Sequence, residues 1–88
     1  MNELSNFLQY LRKINGENQK EMAKKINVQQ SFLSNVEHGR KNVPILWIDT
    51  ISKTYNLNDE AKKVLQDIII NTIIDKRKTN AIINEVFK

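Results

Sequence analysis

At 88 residues the chain is long enough for one modest core and too short for two. Only two Gly and one Pro stand among many helix formers, which points to an all-α fold; with no Cys, disulfides and thiolate metal sites are excluded, in keeping with a reducing cytoplasm. The net charge of +4 leans to the first half, where residues 1–44 carry seven Lys or Arg against four Asp or Glu, while residues 45–88 carry seven against six. No apolar run reaches the roughly twenty residues of a membrane span, and the opening MNELSNFLQYLRK has an acid and no apolar run, so neither a membrane association nor a signal peptide is expected.

The first predicted helix runs from about Glu3 to Ile14. Its Leu4, Phe7, Leu8 and Leu11 fall at i, i+3, i+4 and i+7, an amphipathic stripe ended by Asn15-Gly16. Asn18 can cap a second helix and Glu21 can reach back to it, as in a capping box. Met22, Ala23 and Ile26 share its inner face, and the small Ala23 suits a close helix crossing. Asn27, the best non-Gly residue for a left-handed turn, and Val28, a plug into the core, lead to a third helix from Gln29 or Gln30 to His38. Leu33 and Val36 turn inward there, and Gly39 is a left-handed stop.

Pro44 suits the first turn of a fourth helix that continues to Tyr55. The turn Asn56-Leu57-Asn58 follows, with Asn58 capping a fifth helix whose first acids, Asp59 and Glu60, complement the positive helix end. Ala61, Val64, Leu65, Ile68, Ile69 and Ile73 define its inner stripe; Ile70 and Ile74 fall outside that stripe. The polar run Asp75–Asn80 either continues the helix or turns the chain back, and the turn is the favoured reading. The tail AIINEVF then places Ile82, Ile83, Val86 and Phe87 on one face.

The outer side of the third helix carries chemistry rather than a second apolar stripe. Gln29, Gln30, Ser31, Phe32 and Asn35 are placed to meet base edges: Gln and Asn amides can pair with adenine N6 and N7, Ser can donate or accept, and a half-exposed Phe32 can touch a thymine methyl unless it is core. Two short helices joined by a tight turn, the second presenting such a face, make a helix-turn-helix. Arg40, Lys41 and Asn42 then fall where phosphates run, and contacts of that kind position a protein without reading sequence. Lys20 belongs with them as a phosphate contact, and Lys24 is either that or merely solvated. Asn18 at a helix N-terminus adds an amide to the same region.

The runs NQKEMA, INV and SFLSNVEHGR, with Pro44, Ile48, Ile51, Tyr55 and Leu57 after them, resemble the Xre family of helix-turn-helix domains, the lambdoid phage repressor and Cro kind. The resemblance covers roughly residues 4 to 66. It implies a five-helix repressor-like domain over residues 1–66, with residues 67–88 as an extra C-terminal helical segment for dimerisation or partner binding. It further implies that Gln19 contacts phosphate and props the first reading residue, and that Arg12 and Glu37 form a structural ion pair between the first helix and the end of the third. Asn27 departs from the family's usual Gly.

The expected function is therefore a sequence-specific transcriptional regulator, most simply a repressor. It would bind a near-palindromic double-stranded DNA operator as a homodimer. The apolar surplus assigned to the dimer interface is Trp47, Ile70, Ile74, Ile82, Ile83, Val86 and Phe87. The competing account folds the tail back as a sixth helix. An alternative function is an antitoxin-like or anti-repressor-like module that binds a protein partner through the Ile-rich segment. Nothing supports an enzyme. No nucleophile–base pair or phosphate-cradling Gly loop is evident, and His38, the only histidine, cannot make a metal site alone, so neither metal nor cofactor is expected.

Overall fold

The computed structural model describes residues 2–86, with side chains through Asp75. Five helices follow one another: α1 Glu3–Asn15, α2 Gln19–Lys25, α3 Gln30–Glu37, α4 Trp47–Thr54 and α5 Asp59–Val86, with no strand among the described residues. α2 packs on α3, while α1 and α4 both pack on α5. Leu4, Leu8 and Leu11 of α1 meet Met22, Ala23, Leu33, Val36, Ile51, Leu65 and Ile69 in a single buried cluster. No helix among the described residues is long and apolar enough to cross a membrane.

Helix starts follow from short amide side chains. Asn2 accepts from the Ser5 amide at 2.7 Å, Asn18 from Glu21 at 2.8 Å, and Asn58 from Ala61 at 2.8 Å. Glu21 returns the bond by accepting from the Asn18 amide at 3.0 Å, completing a capping box.

Helix stops are equally local. Gly16, Asn27, Gly39 and Asn56 have positive φ, at 64°, 61°, 74° and 50°. Each lets the next amide reach back to a carbonyl five residues earlier: Glu17 to Arg12, Val28 to Ala23, Arg40 to Asn35 and Leu57 to Ser52, at 2.8 to 2.9 Å. The two amides at positions 27 and 56 thus do what glycine does at 16 and 39.

Several expectations are corrected. α5 continues without a break through Asp75–Asn80 instead of turning back. That run has no Gly or Pro, and Lys and Arg are good helix formers, so nothing in it stops a helix. The 66/67 boundary therefore falls inside α5, and Ile69 beyond it is fully buried. α4 starts at Trp47, later than expected. Pro44, Ile45 and Leu46 first make a tight turn whose carbonyls accept from Trp47, Ile48 and Asp49 at 3.0 to 3.2 Å, an i→i+3 pattern. Trp47 is 4 % exposed and packs edge-on against Phe32, ring centroids 5.9 Å apart, so it is core and not a surface for a partner. Val64, placed on the inner stripe by its spacing, is instead exposed. Of the other interface candidates, Ile70 is half-buried and Ile74 exposed, whereas the side chains of Ile82, Ile83, Val86 and Phe87 lie outside the described residues.

The α1–α2 loop is pinned by charge. Glu17, its side chain 6 % exposed, lies 2.7 Å from Lys25 Nζ, and the same ammonium stands 5.3 Å from the centroid of the Tyr55 ring. Burial first, and then the Glu17 carboxylate, raise the Tyr55 phenol well above its ordinary value of 10.0, with Arg12 pulling the other way.

Two predictions follow from these contacts. Asn27 is exposed, so its substitutions report backbone conformation rather than packing. Asn27→Ala should lower stability by about 1 kcal/mol, while Asn27→Gly should equal or exceed the parent in denaturant melts; equal losses in both would refute the conformational account. The second concerns pH. An unfolded chain releases the Tyr55 proton near pH 10 while the folded chain holds it, so this contribution is intact below pH 10 and is lost as pH rises above it. The melting advantage of the parent over Tyr55→Phe should shrink through that range; parallel curves would remove the effect.

Candidate nucleic-acid interface

One buried carboxylate organises the α2–α3 pair. Glu37, at the last turn of α3, is 3 % exposed. Its Oε1 accepts from Arg12 Nη2 at 2.8 Å and its Oε2 from Arg12 Nη1 at 3.3 Å, the forked geometry expected of guanidinium and carboxylate. Oε2 also accepts from Gln19 Nε2 at 2.7 Å. Arg12 Nη1 lies 3.2 Å from Met22 Sδ, so the guanidinium reaches α2 as well. The charge pair expected between Arg12 and Glu37 is therefore present, and it links α1, α2 and α3.

Gln19 carries the line outward. Its Oε1 accepts from Gln30 Nε2 at 3.4 Å, a long and weak bond at the first residue of α3. Gln19 thus stands beside Gln30, as the resemblance implied. Asn18 has its side-chain oxygen committed to the capping box.

On α3, Gln29, Gln30 and Ser31 are exposed. Gln29 is the N-cap residue, yet its side chain makes no cap bond. Asn35 is half-buried; its Oδ1 accepts from Arg40 Nη1 at 3.4 Å, and its carbonyl accepts the amides of Arg40 and Lys41. Phe32 is half-buried with its ring against Trp47, so most of it belongs to the core edge. His38 is exposed, with Nδ1 2.8 Å from the Ser34 carbonyl.

Cations surround this face. Lys20 and Lys24 share with Asn27, Gln29 and Gln30 an open groove of about 550 Å³ in the angle between α2 and α3. Local sequence does not decide between phosphate and solvent for Lys24; its signal is the i+4 spacing from Lys20, which puts both ammoniums on one side of α2. Arg40, Lys41 and Asn42 are exposed in the loop after α3. The direct bond from Gln19 to Glu37 has no counterpart in local sequence, because 18 positions separate the two residues. What the arrangement offers is a fixed helix end with outward amides and a hydroxyl, flanked by cations: a surface suited to a polyanion with hydrogen-bonding edges.

No protein-family model, no curated protein and no solved structure matches this chain.

Removing the carboxylate strands a mostly buried guanidinium. Glu37→Ala should therefore cost about 3 kcal/mol in denaturant unfolding, and replacing Arg12 and Glu37 together by apolar residues should cost less. A negligible shift for Glu37→Ala would mean that the pair is freely solvated.

Proposed function

We propose that the chain is a sequence-specific DNA-binding transcriptional regulator of the Xre kind, acting as a homodimer on a near-palindromic operator, most simply as a repressor in the cytoplasm. The observation that carries this reading is the exposed set Gln29, Gln30 and Ser31 on the first turn of α3, a helix held at its other end by Glu37. In this reading Gln30 and its neighbours read base edges in the major groove, with Asn35 one turn on. Gln19, Lys20, Arg40 and Lys41, joined by Lys24, hold the phosphates to either side. Two copies with α3 about 34 Å apart would meet successive turns of duplex, which makes the operator two half-sites related by two-fold symmetry. Exposed apolar side chains on α1 and α5, at Tyr10, Ile14, Val64 and Ile74, favour a protein contact in addition. They keep the partner-binding alternative alive.

Selection from a random duplex pool, followed by titration of the recovered sequence at several salt concentrations, tests the reading. Affinity should fall steeply with salt as counterions are released. Gln30→Ala should cost roughly 1–3 kcal/mol and relax preference at one position, whereas Lys41→Ala should weaken all sequences alike. Recovery of no preferred sequence, or an unchanged preference profile for Gln30→Ala, would overturn it.

A further inference from the structure

We infer that a surface shared by α1 and α5, on the side away from α3, receives residues 76–87 of a second copy of this chain. The inference rests on the homodimer in the reading above and not on DNA binding.

The surface follows from helix geometry. Tyr10 and Ile14 each stand two positions from Arg12, and two residues turn an α-helix by about 200°. Arg12 reaches Glu37 on α3, so Tyr10 and Ile14 lie on nearly the opposite side of α1. They are 61 % and 60 % exposed, and Phe7, half-buried at the core edge, joins them to the core. On α5, Val64 is 49 % exposed beside half-buried Ile68.

The two helices run antiparallel, because Asn2, Glu3 and Asn6 at the start of α1 share a groove with Ile68, Thr72 and Asp75 well along α5. In an antiparallel pair, residues rotated the same way from the contact line fall on the same side. By that rule Phe7, Tyr10 and Ile14 lie beside Val64 and Ile68, in one apolar strip. Single exposed apolar residues are ordinary, but a contiguous strip with a polar border marks an interface. Its border is acidic on balance: Glu3 is two turns before Tyr10, and Glu60 and Asp67 stand one turn either side of Val64, all three exposed, against the exposed ammonium of Lys13, a turn after Tyr10.

The occupant is written in the same chain. α5 runs to Val86. α1 has 13 residues, a length of about 20 Å, and its first residues are already level with Thr72 and Asp75, so no part of α1 remains for the turns of α5 beyond them. Those turns read KRKTNAIINEV, three consecutive cations followed by Ala81, Ile82, Ile83 and Val86, and Phe87 comes next in the sequence. A basic and apolar helix complements an apolar strip edged by carboxylates. On a chain of net charge +4, copies otherwise repel, and this is a place where they attract. If each copy donates its segment and receives the other's, the contact is isologous and closes at two. It also leaves the α3 face open.

The test is the mass of the full chain in solution by sedimentation, with helix content and melting checked on every variant. The parent should have twice the monomer mass of 10.3 kDa. Tyr10→Glu with Ile14→Glu should give a folded monomer, since both side chains are exposed. Lys76→Glu with Arg77→Glu and Lys78→Glu should do the same, as should Glu60→Lys with Asp67→Lys. Mixing these two charge-reversed chains should restore a dimer. A monomeric parent, a dimer that survives Tyr10→Glu with Ile14→Glu, or charge-reversed chains that fail to recombine would each overturn the inference. A dimer that follows this pattern yet binds no preferred duplex would sink the regulator reading and leave the interface standing.

Discussion

Glu37 is the constraint on which the arrangement depends. A carboxylate that is 3 % exposed must have its charge answered nearby, and here the answers come from two other helices: the Arg12 guanidinium of α1 and the Gln19 amide of α2. Apolar packing of Leu33 and Val36 seats α3 on the core, but such contacts are non-directional and leave a short helix free to rotate by small angles. Three charge-assisted bonds at fixed distances remove that freedom. The helix end nearest the core is therefore specified by electrostatics, and the far end is left to face solvent.

Short connections do the rest. An eight-residue helix has little stability of its own, and most of what it has comes from docking. Ending four helices on left-handed residues turns the chain sharply and satisfies carbonyls of the last turn, and three of the four connections then need only three or four residues. It thereby keeps the helices close enough for an ion pair between α1 and α3 to form at all. Where asparagine takes the left-handed role, its backbone strain is small beside the docking it permits.

Much of this was legible in the residues. The stripe Leu4, Phe7, Leu8 and Leu11, the capping box of Asn18 and Glu21, the left-handed Asn27 and the cap at Asn58 are local rules, and each is found in the fold. The Arg12–Glu37 pair was reached through resemblance, not spacing. Two of the misses were tertiary and two were local. Trp47 looked surplus because no local pattern shows that Phe32, 15 positions earlier, comes to its ring edge. Val64 fell on the inner stripe by periodicity, but α1 covers a narrower arc of α5 than that stripe assumes. The start of α4 slipped because Pro44 is compatible with a tight turn as well as with a first helical turn. The run Asp75–Asn80 was read by polarity, when the absence of a helix breaker decided it.

The line from Glu37 to Gln30 also has a polarity. A carboxylate only accepts, so the Gln19 amide must turn its nitrogen inward and its oxygen outward. That oxygen in turn takes one N–H of Gln30, leaving Gln30 with a second N–H and a carbonyl oxygen directed elsewhere. The acceptor character of one residue inside the protein thus sets which way round the Gln19 amide points and only biases the Gln30 amide, which presents donor and acceptor together. A cation at position 37 would have run the same line in reverse.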